Sequence, residues 1–376
     1  MQVAPRPPTD AHSARRLALE LFVAGYEGQA LPGSYAERLR DGLSGVILFS
    51  RNLLKTSGGD IDVAHLTAQT AQIQLEAQHS SPLAALCAVD QEGGLVARLR
   101  APFSHFGAMA DVVAKGGAEA AYGVGAQTGR ECLAAGFNVD FAPVLDINTN
   151  PQNPIIGRRA FGTTPEAVTT LAGAFLRGLQ STGVLGCGKH FPGHGETDTD
   201  SHLALPVLDF DLARMEAVEM RPFAALAQEM AMVMTAHILF RTLDARLPAT
   251  LSPTLLTPLL RTHCGFDGVI VSDDLEMKGV AETFSFAESV RLGLHAGVDL
   301  FLVCRREDAL EESIDEAARI LFDGGPPAGR ACDAIGRVRA MRARAFTPTP
   351  SVAGVQAAFR HPSCARLRGD YGIGNV

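Results

Sequence analysis

Between Lys189 and His202 the chain reads KHFPGHGETDTDSH. Three histidines, a lysine, a glutamate and two aspartates share one short stretch interrupted by glycine and proline. Such a density of ionisable groups on non-helical backbone fits a solvated loop, a metal site or a general acid/base site. A zinc motif of the HExxH kind needs both histidines on one helical face, and Pro192 and Gly193 deny His190 and His194 that geometry. No second ligand cluster stands out, so no metal is expected. A nucleophilic serine lacks its GxSxG elbow, and GVGAQTG (123–129) lies inside a helical pattern and is a poor match to a dinucleotide loop. What remains is Asp200 with His202. Two residues apart on extended or turning chain, both side chains can face the same way. The carboxylate fixes the imidazole tautomer and raises its basicity, and an imidazole titrating near neutrality can give a proton in one step and take one in the next. Most Asp-x-His pairs on loops are solvated and idle, so the pair alone decides nothing.

Asp273, at the end of GVIVSDD (268–274), adds a second element. A carboxylate nucleophile with a separate acid/base is the machinery of retaining glycoside hydrolysis. Both groups are usually carboxylates; here a histidine would hold the acid/base post.

Positioning such groups falls to eight apolar runs: LFVAGY (21–26), GVILFS (45–50), ALCAVD (85–90), NVDFAPVLDI (138–147), VLGCGKHF (184–191), MVMTAHI (232–238), GVIVSDD (268–274) and GVDLFLV (297–303). They are apolar on both sides rather than alternating, as strands covered on both faces are. Helical patterns separate most of them, for example TPEAVTTLAGAFLRGLQSTG (164–183), which has a Thr cap, a Pro in its first turn and a Gly after its end. Eight strands with interleaved helices predict an α/β fold, a (β/α)8 TIM-type barrel in a single domain. A doubly wound open sheet is the alternative, which periodicity alone does not exclude. The strand ends favour the barrel. They deliver Asp90, Asp146, Lys189 with His190, His237, and Asp273 with Asp274, and barrel enzymes carry their chemistry at the C-terminal ends of strands. Aspartate also caps helices, and Asp146 suits such a structural role. The expected organisation is an irregular N-terminal segment (1–15), a catalytic barrel (16–346) and an irregular or packing C-terminal extension (347–376).

Of the 376 residues 47% are hydrophobic and 20% charged, a globular profile with a large core. The formal net charge of −8 and the lack of a basic run argue against nucleic acid. No apolar stretch is long enough to span a membrane, and the polar, Pro-rich start has no signal-peptide core. Seven cysteines, an odd number without a CxxC pair, read as buried thiols of a cytoplasmic protein. A monomer is expected.

Five motifs in order, DQEGG (90–94) with Arg98, NPIIGRRAFG (153–162), KHFPGHG (189–195), DSH (200–202) and SDDLEM (272–277), make the chain resemble the family-3 glycoside hydrolases. Within them it is similar to the single-domain β-N-acetylglucosaminidases of cell-wall recycling. The resemblance covers roughly residues 20 to 345. It implies a retaining enzyme that removes terminal β-linked N-acetylglucosamine, from muropeptides or a chitobiose-like sugar, without metal or organic cofactor. It implies Asp273 as nucleophile, Asp274 as its structural neighbour, and His202 as acid/base with Asp200 as partner. Asp90, Arg98, Arg159, Lys189 and His190 are implied as the sugar-binding set, and His194 as a loop-shaping residue. Arg158, where an acidic or small residue is usual, and Ala160, where serine is usual, depart from the pattern and blur the choice between Arg158 and Arg159. Longer members carry a second domain for which this chain has no room. Two alternatives stay open: a phosphorylase of the same family, since a deprotonated histidine repels phosphate less than a carboxylate, and a non-catalytic carbohydrate-binding barrel.

Overall fold

Each of the eight apolar runs forms one strand of a closed, all-parallel barrel. In the computed structural model, which describes residues 4–198 and 204–373, they are β1 (Phe22–Ala24), β2 (Gly45–Ile47), β3 (Leu86–Val89), β4 (Val139–Asp140), β5 (Leu185–Phe191), β6 (Met232–Thr235), β7 (Val269–Asp274) and β8 (Leu300–Val303). Each strand pairs with its neighbours in sequence, and β1 pairs with β8, with Phe22 opposite Phe301, to close the ring. Closure settles the choice between barrel and open sheet.

Strand residues alternate between two apolar layers, as the period of two requires. Leu86, Ala88, Leu185, Cys187, Val269 and Val271 fill the barrel interior. Cys87, Val89, Val233, Ile270, Phe301 and Val303 face the helices. One further step along the inward register reaches Asp90 after β3, Lys189 in β5 and Asp273 in β7. The packing period therefore presents three charged residues inward at the C-terminal mouth.

The outer layer comprises α1 (Ala11–Leu19), α2 (Gly33–Asp41), α3 (Val63–Ala77), α4 (Met109–Ala135), α5 (Pro165–Gln180), α6 (Leu212–Ala217), α7 (Arg221–Leu226), α8 (Phe286–Ala296), α9 (Glu307–Asp323) and α10 (Gly325–Arg342), with a π-helical segment, Leu256–His263, between β6 and β7. Thr164 caps α5 by accepting from the Ala167 N–H, as its sequence announces. One expectation for the chain ends changes. The N-terminal segment is helical from Ala11, because Asp10 accepts from the Ser13 N–H and so caps α1, which packs on α9 with Arg15 paired to Glu311 and Asp315. The segment after Thr347 takes the packing form of the two expected: α11 (Val352–Phe359) and α12 (Pro362–Tyr371) pack on α4. Gln127 donates to the Ala358 carbonyl at 3.1 Å, and Arg368 Nε to Ser104 at 2.7 Å.

All seven cysteines are buried and unbridged. Among the described residues no helix is long and apolar enough to cross a membrane.

Candidate active site

A cavity of about 190 Å³ sits at the C-terminal mouth. Its floor is apolar, from Ile47, Phe141, Met234 and Leu302, and Asp90, Glu92, Arg98, Arg159, Lys189, His190 and Asp273 also line it. Lys189 is buried, with Nζ 3.0 Å from Asp90 Oδ1 and 2.6 Å from Glu92 Oε1. Arg159 grips Glu92 with both arms, Nε at 2.8 Å and Nη2 at 2.9 Å. Arg98 Nη2 reaches the other Asp90 oxygen at 3.3 Å. The signs thus alternate along Arg98, Asp90, Lys189, Glu92 and Arg159. Burial penalises the Lys189 ammonium, yet Asp90 and Glu92 outweigh it and hold its pKa above the usual lysine range. Burial likewise opposes the Glu92 carboxylate, but Arg159 and Lys189 hold its pKa well below the ordinary value. Desolvating buried charges costs several kcal/mol per ion and is tolerated only when they are paired. The result is a rigid row of charged donors and acceptors aimed into a small pocket, suited to the hydroxyls of a sugar.

A second anchor shapes the loop after β5. Asp146, fully buried, accepts from the His190 N–H (3.2 Å), the His190 Nδ1 (2.7 Å) and the His194 N–H (2.7 Å). Burial would raise its pKa, but the neighbouring His190 and the hydrogen bonds hold it below the usual carboxylate range. With Nδ1 committed to Asp146, the opposite ring edge of His190 is left for the pocket. Asp146 is structural, as its sequence context suggests, but it ties a loop rather than capping a helix. His194 bonds Thr197 Oγ1 through Nδ1 at 2.7 Å, and Asn153 Nδ2 donates to the His194 carbonyl at 2.8 Å. At Gly195 a Cβ would lie 1.6 Å from the Ile147 carbonyl oxygen, so only glycine lets the loop pass there.

Across the mouth, Asp273 Oδ1 accepts from the Asp274 N–H at 2.8 Å. Asp274 turns its own carboxylate to backbone, accepting from Glu276 N (3.1 Å) and Cys304 N (3.2 Å). Burial pushes its pKa up to about 7. His237, the other reactive strand end, is buried between Thr250 Oγ1 (2.8 Å) and the Asp274 carbonyl (3.0 Å) and does not line the cavity.

Six of the eight sequence-predicted site residues, Asp90, Arg98, Arg159, Lys189, His190 and Asp273, therefore line one pocket. The remaining two, Asp200 and His202, fall outside the described residues. Glu92, the hub of the charge row, carries no role in the sequence reading, although two residues after Asp90 it shares the inward register. Arg158 is 74% exposed and pairs with Asp111, whereas Arg159 is 16% exposed and lines the pocket. Ala160 sits in a small apolar cluster with Val144 and Ile156, where a methyl group packs without needing a partner. Arg159→Ala should lower kcat/KM on a nitrophenyl glycoside by about 10- to 100-fold, the scale of a lost charge-assisted contact, and Arg158→Ala by about twofold or less. Equal effects would reassign the pair.

Beneath the row lies Asp140, fully buried at the end of β4. Its Oδ1 accepts from the Gln91 N–H at 2.9 Å, while Oδ2 has no hydrogen-bond partner among the described residues. Burial pushes its pKa up to about 8. A carboxyl with a raised native pKa contributes its full stability below the unfolded value near 4, and that contribution is lost as pH rises toward 8. Asp140→Asn, which keeps the acceptor and cannot ionise, should be more stable than the parent at pH 7–8, on the order of a few kcal/mol. The gap should close toward pH 4. A melting-temperature difference that is flat with pH would refute this assignment.

Residues 35–338 match the glycosyl hydrolase family 3 N-terminal domain, and the chain belongs to that family: it is a glycoside hydrolase built on a (β/α)8 barrel. It is 40% identical over 285 residues to a beta-hexosaminidase of Neisseria meningitidis serogroup C, a match spanning 73% of this chain and 75% of that one. To the beta-hexosaminidase of Chromobacterium violaceum it is 37% identical over 347 residues, 89% of this chain and 91% of the relative. Among solved structures it is similar to NagZ from Neisseria gonorrhoeae in complex with N-trifluoroacetyl-D-glucosamine, with a TM-score of 0.73, 31% identity, and 98% of each chain covered.

Proposed function

We propose that the enzyme removes a terminal β-linked N-acetylglucosamine with retention, through a covalent glycosyl-Asp273 intermediate. The observation that carries this reading is the placement of Asp273 across one pocket from the Asp90–Lys189–Glu92–Arg159 row. β3 and β7 lie on opposite sides of an eight-strand ring. A sugar ring held by its hydroxyls against Asp90, Lys189 and His190 therefore offers its anomeric carbon to Asp273. Side chains close the barrel below the pocket, and its volume of about 190 Å³ suits a single terminal sugar. The hexosaminidase names of the relatives and the N-acylated glucosamine bound by the gonococcal neighbour support this sugar.

In the first step Asp273 attacks the anomeric carbon while His202, oriented by Asp200, protonates the departing oxygen. In the second His202 deprotonates a water that displaces Asp273 and releases the sugar. Lys189, Arg159, Arg98 and Asp90 hold the ring through both steps. The natural substrate in this reading is a muropeptide bearing N-acetylglucosamine on anhydro-N-acetylmuramic acid. The test is a panel of nitrophenyl glycosides with product stereochemistry followed by NMR, with and without phosphate. β-N-acetylglucosaminide should be the preferred substrate and the β-anomer the first product. Sugar 1-phosphate as the main product would favour the phosphorylase, and an inverted product would exclude the covalent intermediate.

A further inference from the structure

We propose that a second cleft, which shares Arg98 with the sugar pocket, receives an anionic ester carried on the C6 oxygen of the bound terminal sugar. The cleft, about 600 Å³, is lined by Lys55, Arg98, Arg100 and His105 together with Ser50, Leu53 and Ile373, and among the described residues no carboxylate side chain lines it. Among the described residues neither Lys55 nor Arg100 makes an ion pair; Arg100 Nε has only the Ala97 carbonyl, at 3.4 Å. Arg98 forms the wall shared with the sugar pocket. It donates to Asp90 from Nη2, and its Nε has no hydrogen-bond partner among the described residues. On a chain with a formal charge of −8, Lys55 and Arg100, which have no ion-pair partner among the described residues, stand beside the Asp90-paired Arg98 and give the cleft a local positive potential that selects anions. A sulfate or phosphate ester placed there would accept charge-assisted hydrogen bonds.

Position decides which part of a substrate reaches it. The cleft is built from the chain after β2 (50–61) and after β3 (98–105), on the side of the ring away from β7. The inference rests on the reading of Asp273 as nucleophile. With the anomeric carbon at Asp273, the C4–C6 end of the ring lies against Asp90 and Arg98. C6 turns on a rotatable bond and can carry a substituent past Arg98. A leaving group departs from the other end, and a phosphate ion attacking the anomeric carbon would also need that end. The cleft therefore suits an anion borne by the sugar itself.

The experiment compares kcat/KM for 4-nitrophenyl N-acetyl-β-glucosaminide and its 6-O-sulfo derivative, in the parent and in Lys55→Ala, Arg100→Ala and the double variant. The parent should turn over both substrates. The double variant should lose about tenfold on the sulfated one and stay within about twofold on the other. Failure of the parent on the sulfated sugar alone would overturn the proposal, as would equal losses on both substrates in the double variant. Inhibition by inorganic sulfate with no effect of the variants on the sulfated sugar would mean that the cleft takes only free anions, and would overturn it too. No turnover of the unsubstituted glycoside by the parent would remove the glycosidase reading itself.

Discussion

Asp273→Asn should leave the barrel folded and lower turnover of every glycoside, whatever its leaving group, on the order of 10⁴-fold or more. The substitution is close to isosteric, and the amide oxygen can still accept from the Asp274 N–H that now bonds Oδ1 at 2.8 Å, so melting temperature and circular dichroism should stay near those of the parent. Activated aryl glycosides should not rescue it, because a good leaving group does not replace the missing nucleophile. A 2-fluoro sugar with a good leaving group should label the parent on Asp273, as read by peptide mass spectrometry. The adjacent Asp274 is the sharp alternative, and the geometry argues against it. Its carboxylate already accepts two backbone N–H groups, and burial pushes its pKa up to about 7, so near neutrality much of it would be protonated. A label on Asp274 would reverse the assignment of the pair.

The barrel was legible in the sequence because burial on both faces leaves continuous apolar runs, and all eight runs became strands. The ends of those runs were informative for a physical reason. The inward register that packs Leu86 and Ala88, or Val269 and Val271, into the interior places the next inward residue, Asp90 or Asp273, at the mouth. The same register could have flagged Glu92, which the strand-by-strand reading passed over because it lies beyond the apolar run. What stayed illegible depended on distant partners. α2 begins at Gly33 after Pro32, without a side-chain cap, and its short apolar stripe is only Tyr35, Ala36 and Leu39. α11 and α12 hold their place by packing on α4, a contact no local pattern announces. Asp146 looked like a cap because its sequence neighbours resemble one; its actual partners, His190 and His194, lie more than forty residues away. His237 shows the converse. It shares the strand-end position of the functional groups, yet its ring bonds Thr250 and the Asp274 carbonyl, and position alone could not separate it from them.

His202→Ala should slow substrates in proportion to their need for a proton. A natural sugar alcohol departs as a strong base unless it is protonated, whereas dinitrophenolate leaves almost unaided. The first step should survive with the dinitrophenyl glycoside and fall about 10²–10⁴-fold with the disaccharide, the usual worth of a general acid. The second step loses its general base in either case. With the activated substrate the glycosyl-Asp273 intermediate should therefore accumulate and release a burst of phenolate. Azide, which attacks without needing a base, should restore part of the steady-state rate and yield a glycosyl azide. Asp200→Ala should show a milder form of the same pattern, since it removes only the orienting carboxylate. Of the described flanks, Thr197 is bonded to His194 and Asn153, and Val207–Leu208 pairs with Leu239–Phe240. Equal slowing of all leaving groups, with no burst and no azide rescue, would make His202 a binding or loop-folding residue. Glu196 would then be the next acid to test, although it is only half-buried and does not line the sugar pocket. For Glu196 to serve, the loop would have to carry it inward past the Asp146 and Thr197 anchors, and Glu196→Gln would have to reproduce the leaving-group dependence that His202→Ala lacked.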